Sequence, residues 1–98
     1  MRIDLLQSKA WFGDAPINLA PKEFELLAFL VQTPHTIHSK EEIIGSVWGW
    51  NYRGEDNTVE VYISSLRRKI RKLTDKPLIH TVRGMGYLMK ELKPADAV

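Results

Sequence analysis

Between Asn57 and Lys72 the chain reads NTVEVYISSLRRKIRK. Val59, Ile63, Leu66 and Ile70 recur at the i, i+4, i+7, i+11 spacing that lines one face of a helix. The opposite strip carries Asn57, Val61, Ser64, Ser65, Arg68 and Lys72, with no acid and an uncovered valine in its middle. These residue types suit the edges and backbone of a nucleic acid. Asparagine pairs bidentately with adenine, valine touches a thymine methyl, and serine bonds to several base edges. The later cations Arg67, Arg68, Lys69, Arg71 and Lys72 suit phosphates, which dominate affinity. A solvated basic helix end would carry the same cations, because they also favour a helix C-terminus. The exposed Val61 tips the balance toward a binding face.

A second group lies at Arg83-Gly84-Met85-Gly86. Two glycines in so short a connection allow positive φ and a tight hairpin. Thr81 and Arg83 then stand at a narrow tip, where one arginine fits the negative potential of a narrow minor groove. Alone, this would be an ordinary arginine at a turn.

Other constellations fail as chemistry. His35, His38 and His80 lack a metal-ligand spacing, and no cysteine joins them, so neither a metal nor a cofactor is expected. They read as surface or packing histidines. Ser39 is better explained as a helix cap than as a nucleophile. The glycines at 84 and 86 precede no helix, so they do not cradle a phosphate. Glu41 and Glu42 open a helix and need no catalytic role. Nothing here points to an enzyme. Trp48 reads as core, and Trp50 and Tyr52 as loop anchors or a protein-contact surface.

The elements that must position these residues follow from pattern. Short apolar pieces at Ile3 to Leu6, Ala10 to Phe12 and Ile17 to Leu19, with turns at Gly13-Asp14 and Pro16, predict a small antiparallel sheet over about 2–19. Pro21 suits the first helical position, with Ala20 as an N-cap that offers no side-chain oxygen. Phe24, Leu27, Leu30 and Val31 carry that helix to about 32, and Leu26 and Phe29 bury much of its circumference. Ser39 and Glu42 form a capping box for a second helix over about 40–48, closed by Gly49. Asn57 or Asp56 can cap the third, over about 57–73. Strands from Leu78 to Val82 and from Tyr87 to Lys90 complete a terminal hairpin over about 78–90, and the tail after Leu92 should fray. The fold class is α+β: a winged helix-turn-helix with an N-terminal antiparallel sheet, three helices and a C-terminal hairpin wing.

Composition agrees. Ninety-eight residues allow one domain. The chain is 44% hydrophobic and 27% charged, an ordinary globular balance. No apolar run approaches the roughly 20 residues of a membrane span. The lack of cysteine and of a signal peptide fits the cytoplasm. The net charge of +2 hides an asymmetry: residues 1–56 hold five Lys/Arg against eight Asp/Glu, and residues 57–98 hold nine against four. The basic half begins at the helix quoted above, which suggests a polyanion partner.

Four stretches together carry a family likeness: LAPKEFELLAFL at 19–30, SKEEIIGSVWG at 39–49, NTVEVYISSLRRKI at 57–70 and HTVRGMGYLM at 80–89. In their order and spacing the chain resembles the OmpR/PhoB-type winged-helix effector domain of two-component response regulators, over nearly its whole length. The resemblance implies a four-stranded N-terminal sheet, three helices and a wing. It implies sequence-specific binding of double-stranded promoter DNA, with the third helix in the major groove and the wing in the minor groove. Carried over position by position, base reading falls on Thr58, Val61, Ser64 and Ser65. Phosphate contacts fall on Arg67, Arg68, Asn57 and Tyr62, and wing contacts on Thr81 and Arg83. The loop Trp50, Asn51, Tyr52, Arg53, Gly54 and Glu55 is where such domains contact RNA polymerase.

Two departures from the family pattern stand out. Many relatives carry arginine where this chain has Ser64 or Ser65, which implies a different or softer base preference. The family often has a capping threonine at Ala20, a difference of about 1 kcal/mol in stability. Such regulators also carry a phosphorylatable receiver domain that controls dimerisation. Nothing here resembles it, so the chain is expected to be an excised effector domain, with a free-standing regulator as the alternative. The isolated domain should be a monomer that assembles in tandem on direct repeats. The competing reading is a winged-helix protein-interaction module that has lost DNA binding.

Overall fold

A computed structural model describes residues 1–90, and the tail expected to fray lies outside them. Three short strands, β1 (Arg2–Asp4), β2 (Lys9–Phe12) and β3 (Ala15–Ile17), form an antiparallel sheet in the order β1-β2-β3. Registers pair Ile3 with Ala10 and Ala10 with Ile17. This N-terminal sheet has three strands among the described residues, not the four that the family likeness implies. Leu5 and Leu6 are not in the first strand but in the turn after it, where the Asp4 carboxylate accepts from the Leu6 and Gln7 N–H groups at 3.0 and 3.1 Å. That side-chain bond replaces the ladder and turns the chain. The third strand ends at Ile17, short of Leu19.

Helix α1 (Pro21–Gln32) buries Phe24, Leu26, Leu27, Ala28 and Leu30, as its near-continuous apolar sequence requires. Its N-cap Ala20 has no side-chain acceptor, but the Glu23 carboxylate reaches back to the Ala20 N–H at 2.8 Å, completing half a capping box. The second helix, α2, opens as an α-helix at Lys40–Ile43, with Ser39 Oγ accepting from Glu42 N–H at 3.0 Å. The expected α-helix to residue 48 is corrected over its second half: Ile44–Trp48 is a π-helix. The Gly49 N–H donates to Ile44 O, five residues back, at 2.8 Å. Gly49, at φ 108°, then ends the helix in a conformation that glycine adopts without strain.

Helix α3 (Thr58–Arg71) is two residues shorter than expected at its C-terminus, where Lys72 and Leu73 form a turn. Neither Asn57 nor Asp56 caps it with a side chain. Instead Glu55 O accepts from both the N–H and the hydroxyl of Thr58, at 3.3 and 2.8 Å. Val59, Ile63, Leu66 and Ile70 are all buried and meet α1 in the core, with Leu78, Ile79 and Met89 from the wing.

The wing strands β4 (Ile79–Val82) and β5 (Gly86–Met89) pair antiparallel, and β5 also bridges His38 through Tyr87. His38 is buried. Its Nδ1–H donates to Glu42 Oε2 at 2.8 Å and its Nε2 meets Thr33 Oγ1 at 2.7 Å, so it is a packing histidine joining α1, α2 and the wing. Gly86 makes this junction possible. It sits at φ 145°, and a Cβ there would lie 2.0 Å from His38 O. Gly84, at φ 77°, has open space around it. Gly86→Ala should therefore lose more than ~2 kcal/mol in urea unfolding, and Gly84→Ala only about 1 kcal/mol. Equal losses would show that the close approach to His38 does not constrain the wing.

Candidate nucleic-acid interface

Helix α3 presents its outer face because its inner face is consumed by the core. Asn57, Val61, Ser64 and Arg68 are exposed along that face, with Lys72 just beyond its end. Val61 is 52% exposed, a large apolar side chain in a polar row with nothing packed over it. The fourteen residues of α3 give it about 21 Å.

Two residues expected on this face do not belong to it. Thr58 is buried. Its hydroxyl donates to Glu55 O and accepts from the Tyr52 hydroxyl at 3.0 Å, so it fastens the preceding loop. Ser65 is half-buried and donates to Glu23 Oε2. Lys69, expected to meet phosphate, also turns inward, with Nζ 2.5 Å from Glu23 Oε1. Glu23 itself is only 4% exposed. Burial alone would push its carboxyl up. Hydrogen bonds from Lys69, Ser65 and the Ala20 N–H, with the charge of Lys69, outweigh that and hold it below the usual carboxylate range. Two α3 side chains thus lock the helix's rotation against α1. The helical wheel could not reveal this, because the partner lies more than forty residues earlier.

Arg67 is half-buried, and its fork spans to the wing. Nε and Nη2 donate to Ile79 O at 3.3 and 3.0 Å, and Nη2 donates to Thr81 Oγ1 at 2.7 Å. Arg67 and Thr81, expected as separate DNA contacts, here bond to each other and fix the wing beside α3. Arg83 stands exposed at the wing tip. Tyr62 is half-buried, its ring edge-on to Trp48 at 5.1 Å. Tyr87, which sequence reading passed over, lines the cleft between α3 and β5 with Ser64, Arg67, Arg68 and Arg71. Burial pushes its phenol up and the charge of Glu60 adds to this, while that of Arg67 opposes it.

The loop from Trp50 to Glu55 folds onto α2. The Trp50 ring lies over Gly45, where a Cβ would meet it at 2.5 Å, yet the residue remains 79% exposed. The Tyr52 ring packs 6.0 Å from that of Trp48 and covers Gly54. Asn51, Arg53, Gly54 and Glu55 are exposed. Among the described residues no helix is long and apolar enough to cross a membrane.

A helix fastened by its inner face beside a fastened hairpin, with a basic outer surface on both, defines a winged-helix domain. The chain matches the family described as "Transcriptional regulatory protein, C terminal" over residues 14–89, and it belongs to that family. It is 44% identical over 78 residues to the uncharacterized transcriptional regulatory protein YkoG of Bacillus subtilis, covering 80% of this chain and 34% of that protein. It is 36% identical over 87 residues to the phosphate regulon transcriptional regulatory protein PhoB of Klebsiella pneumoniae, covering 89% and 38%. The chain thus spans about a third of the length of these relatives. Among solved structures it is similar to the RstA DNA-binding domain of K. pneumoniae in complex with the RstA box, with a TM-score of 0.78 and 30% identity, covering 90% of this chain and 88% of that one.

The Glu23 knot has a pH signature. Its folded carboxyl titrates below the ordinary 4.5, so beneath that value the unfolded chain binds more protons and acid destabilises the fold. The stabilisation is complete above 4.5 and disappears as pH falls through the folded value. Glu23→Gln should cost about 1–3 kcal/mol at neutral pH and flatten this acid limb of the stability curve. An unchanged acid limb would show that Glu23 is not the group being protonated.

Proposed function

We propose that the chain is the DNA-reading domain of a two-component response regulator and binds duplex DNA at promoters. Helix α3 enters the major groove, whose ~12 Å width admits a helix, and the Arg83 tip reaches the minor groove. The observation that carries this reading is the outer face of α3, with Val61 uncovered among Asn57, Ser64 and Arg68. The RstA domain, similar in fold and solved on its DNA box, supports it. The role is binding rather than catalysis, in the cytoplasm.

Other partners follow from the same reading. The loop from Trp50 to Glu55 meets RNA polymerase with its exposed aromatic edge. A receiver domain brings two copies together on direct repeats, while the isolated domain is a monomer that holds one half-site weakly. The Trp50 patch also favours a second reading, a protein-interaction module without DNA binding.

A salt titration on promoter duplex separates the two. For the parent, log K should fall with log salt by about 0.9 for each phosphate neutralised. Arg83→Ala should lose about 1–3 kcal/mol, lower that slope by roughly one unit, and lose most on duplex with an A-tract beside the wing. Val61→Glu should lose at least ~1 kcal/mol of binding by setting a carboxylate against the duplex, with under ~0.5 kcal/mol of change in stability. No duplex binding by the parent at low salt would leave the protein-interaction reading.

A further inference from the structure

Helix α3 carries one acid, Glu60, on the same side as the residues that face outward. It follows Asn57 and precedes Ser64 by one turn each, on the wing side of the row. Glu60 is exposed, and its nearest cation, Lys40 Nζ, lies 4.0 Å away on α2, a loose surface pair worth little. It opens the cleft that Ser64, Arg67, Arg68, Arg71 and Tyr87 continue along the wing. The Glu60 side chain keeps 46% of its surface exposed despite that pair.

A carboxylate on a surface that receives a polyanion is repelled by phosphates. It becomes favourable only where a base edge offers a hydrogen-bond donor. In the major groove guanine and thymine present acceptors alone, namely N7 and O6, and O4. Adenine offers its N6–H2 beside the N7 acceptor, which repels the second carboxylate oxygen. Cytosine offers its N4–H2 with no acceptor of its own on that edge. Glutamate is therefore a reader that selects by exclusion as much as by attraction.

We infer that Glu60 is a specificity-determining residue that reads a cytosine in the half-site and rejects guanine and thymine there. This rests on the duplex-binding reading and deepens it. Beside the exposed Ser64, Glu60 is the exposed group of α3 with the longer reach, so discrimination at this edge of the row comes from an acid.

The test is selection of bound sites from random duplex by the 98-residue chain and its variants, followed by affinities on duplexes that differ at one base pair. The parent should enrich cytosine at one position near the wing-side end of the half-site, with about five- to tenfold preference over guanine or thymine. Glu60→Gln should move the enrichment to adenine, which glutamine pairs bidentately at N6 and N7. Glu60→Ala should flatten that position alone and bind unselected duplex about twofold more tightly, since a like charge is gone. Lys40→Ala should leave the preference unchanged. If the parent and Glu60→Ala enrich the same bases at every position while both bind duplex, the inference is overturned and duplex binding stands. If the parent binds no duplex, both fall together.

Discussion

The amphipathic division of α3 is the constraint on which the rest depends. Val59, Ile63, Leu66 and Ile70 are withdrawn from water against α1, and each such side chain favours burial by about 1.5–3 kcal/mol. Those contacts fix which side of the helix faces inward but hold its rotation only loosely, because apolar packing is not directional. The Glu23 knot supplies direction. One buried carboxylate accepts from Ser65 and Lys69 on α3 and from the first backbone N–H ahead of α1. Charge-assisted bonds from two successive turns admit a narrow range of helix rotations. The outward row of Asn57, Val61, Ser64 and Arg68 is set by what happens on the buried side.

The same logic extends to the wing. A two-stranded hairpin is marginal by itself. Here β5 bridges His38, Leu78, Ile79 and Met89 enter the core, and Arg67 grips the Ile79 carbonyl and the Thr81 hydroxyl. Helix and hairpin therefore present their exposed edges as one surface. Arg83 stands exposed at the tip of a hairpin that is fastened to the helix carrying Ser64 and Arg68. At the other end, Thr58 binds Tyr52 and Glu55, so the start of α3 and the loop before it move together.

Sequence made the local periodicities legible. The buried stripe of α3, the exposure of Val61, the Ser39 cap and the glycine-bearing wing turn all depend on spacing within one element. What was not legible depends on partners distant in the chain. Thr58 and Ser65 look outward on a helical wheel and are claimed by Glu55 and Glu23. Arg67 reads as a phosphate ligand on sequence, while in the fold Ile79 O and Thr81 Oγ1 of β4 accept its hydrogen bonds. The π-helical close of α2 hinges on one bond from Gly49 to Ile44, which no apolar pattern announces. Leu5 and Leu6 read as strand by hydrophobicity, while Asp4 beside them bends the chain.

The outer face of α3 and the wing tip form one surface for duplex DNA, while the inner knot stays closed. Amide chemical shifts followed by NMR as promoter duplex is added test this directly. Shifts should concentrate at Asn57, Val61, Ser64 and Arg68 and at Arg83 to Met85, with the Leu5-Leu6 turn unmoved and Glu23 still bonded to Lys69. Shifts confined to the loop from Trp50 to Glu55, with α3 and the wing silent, would contradict it.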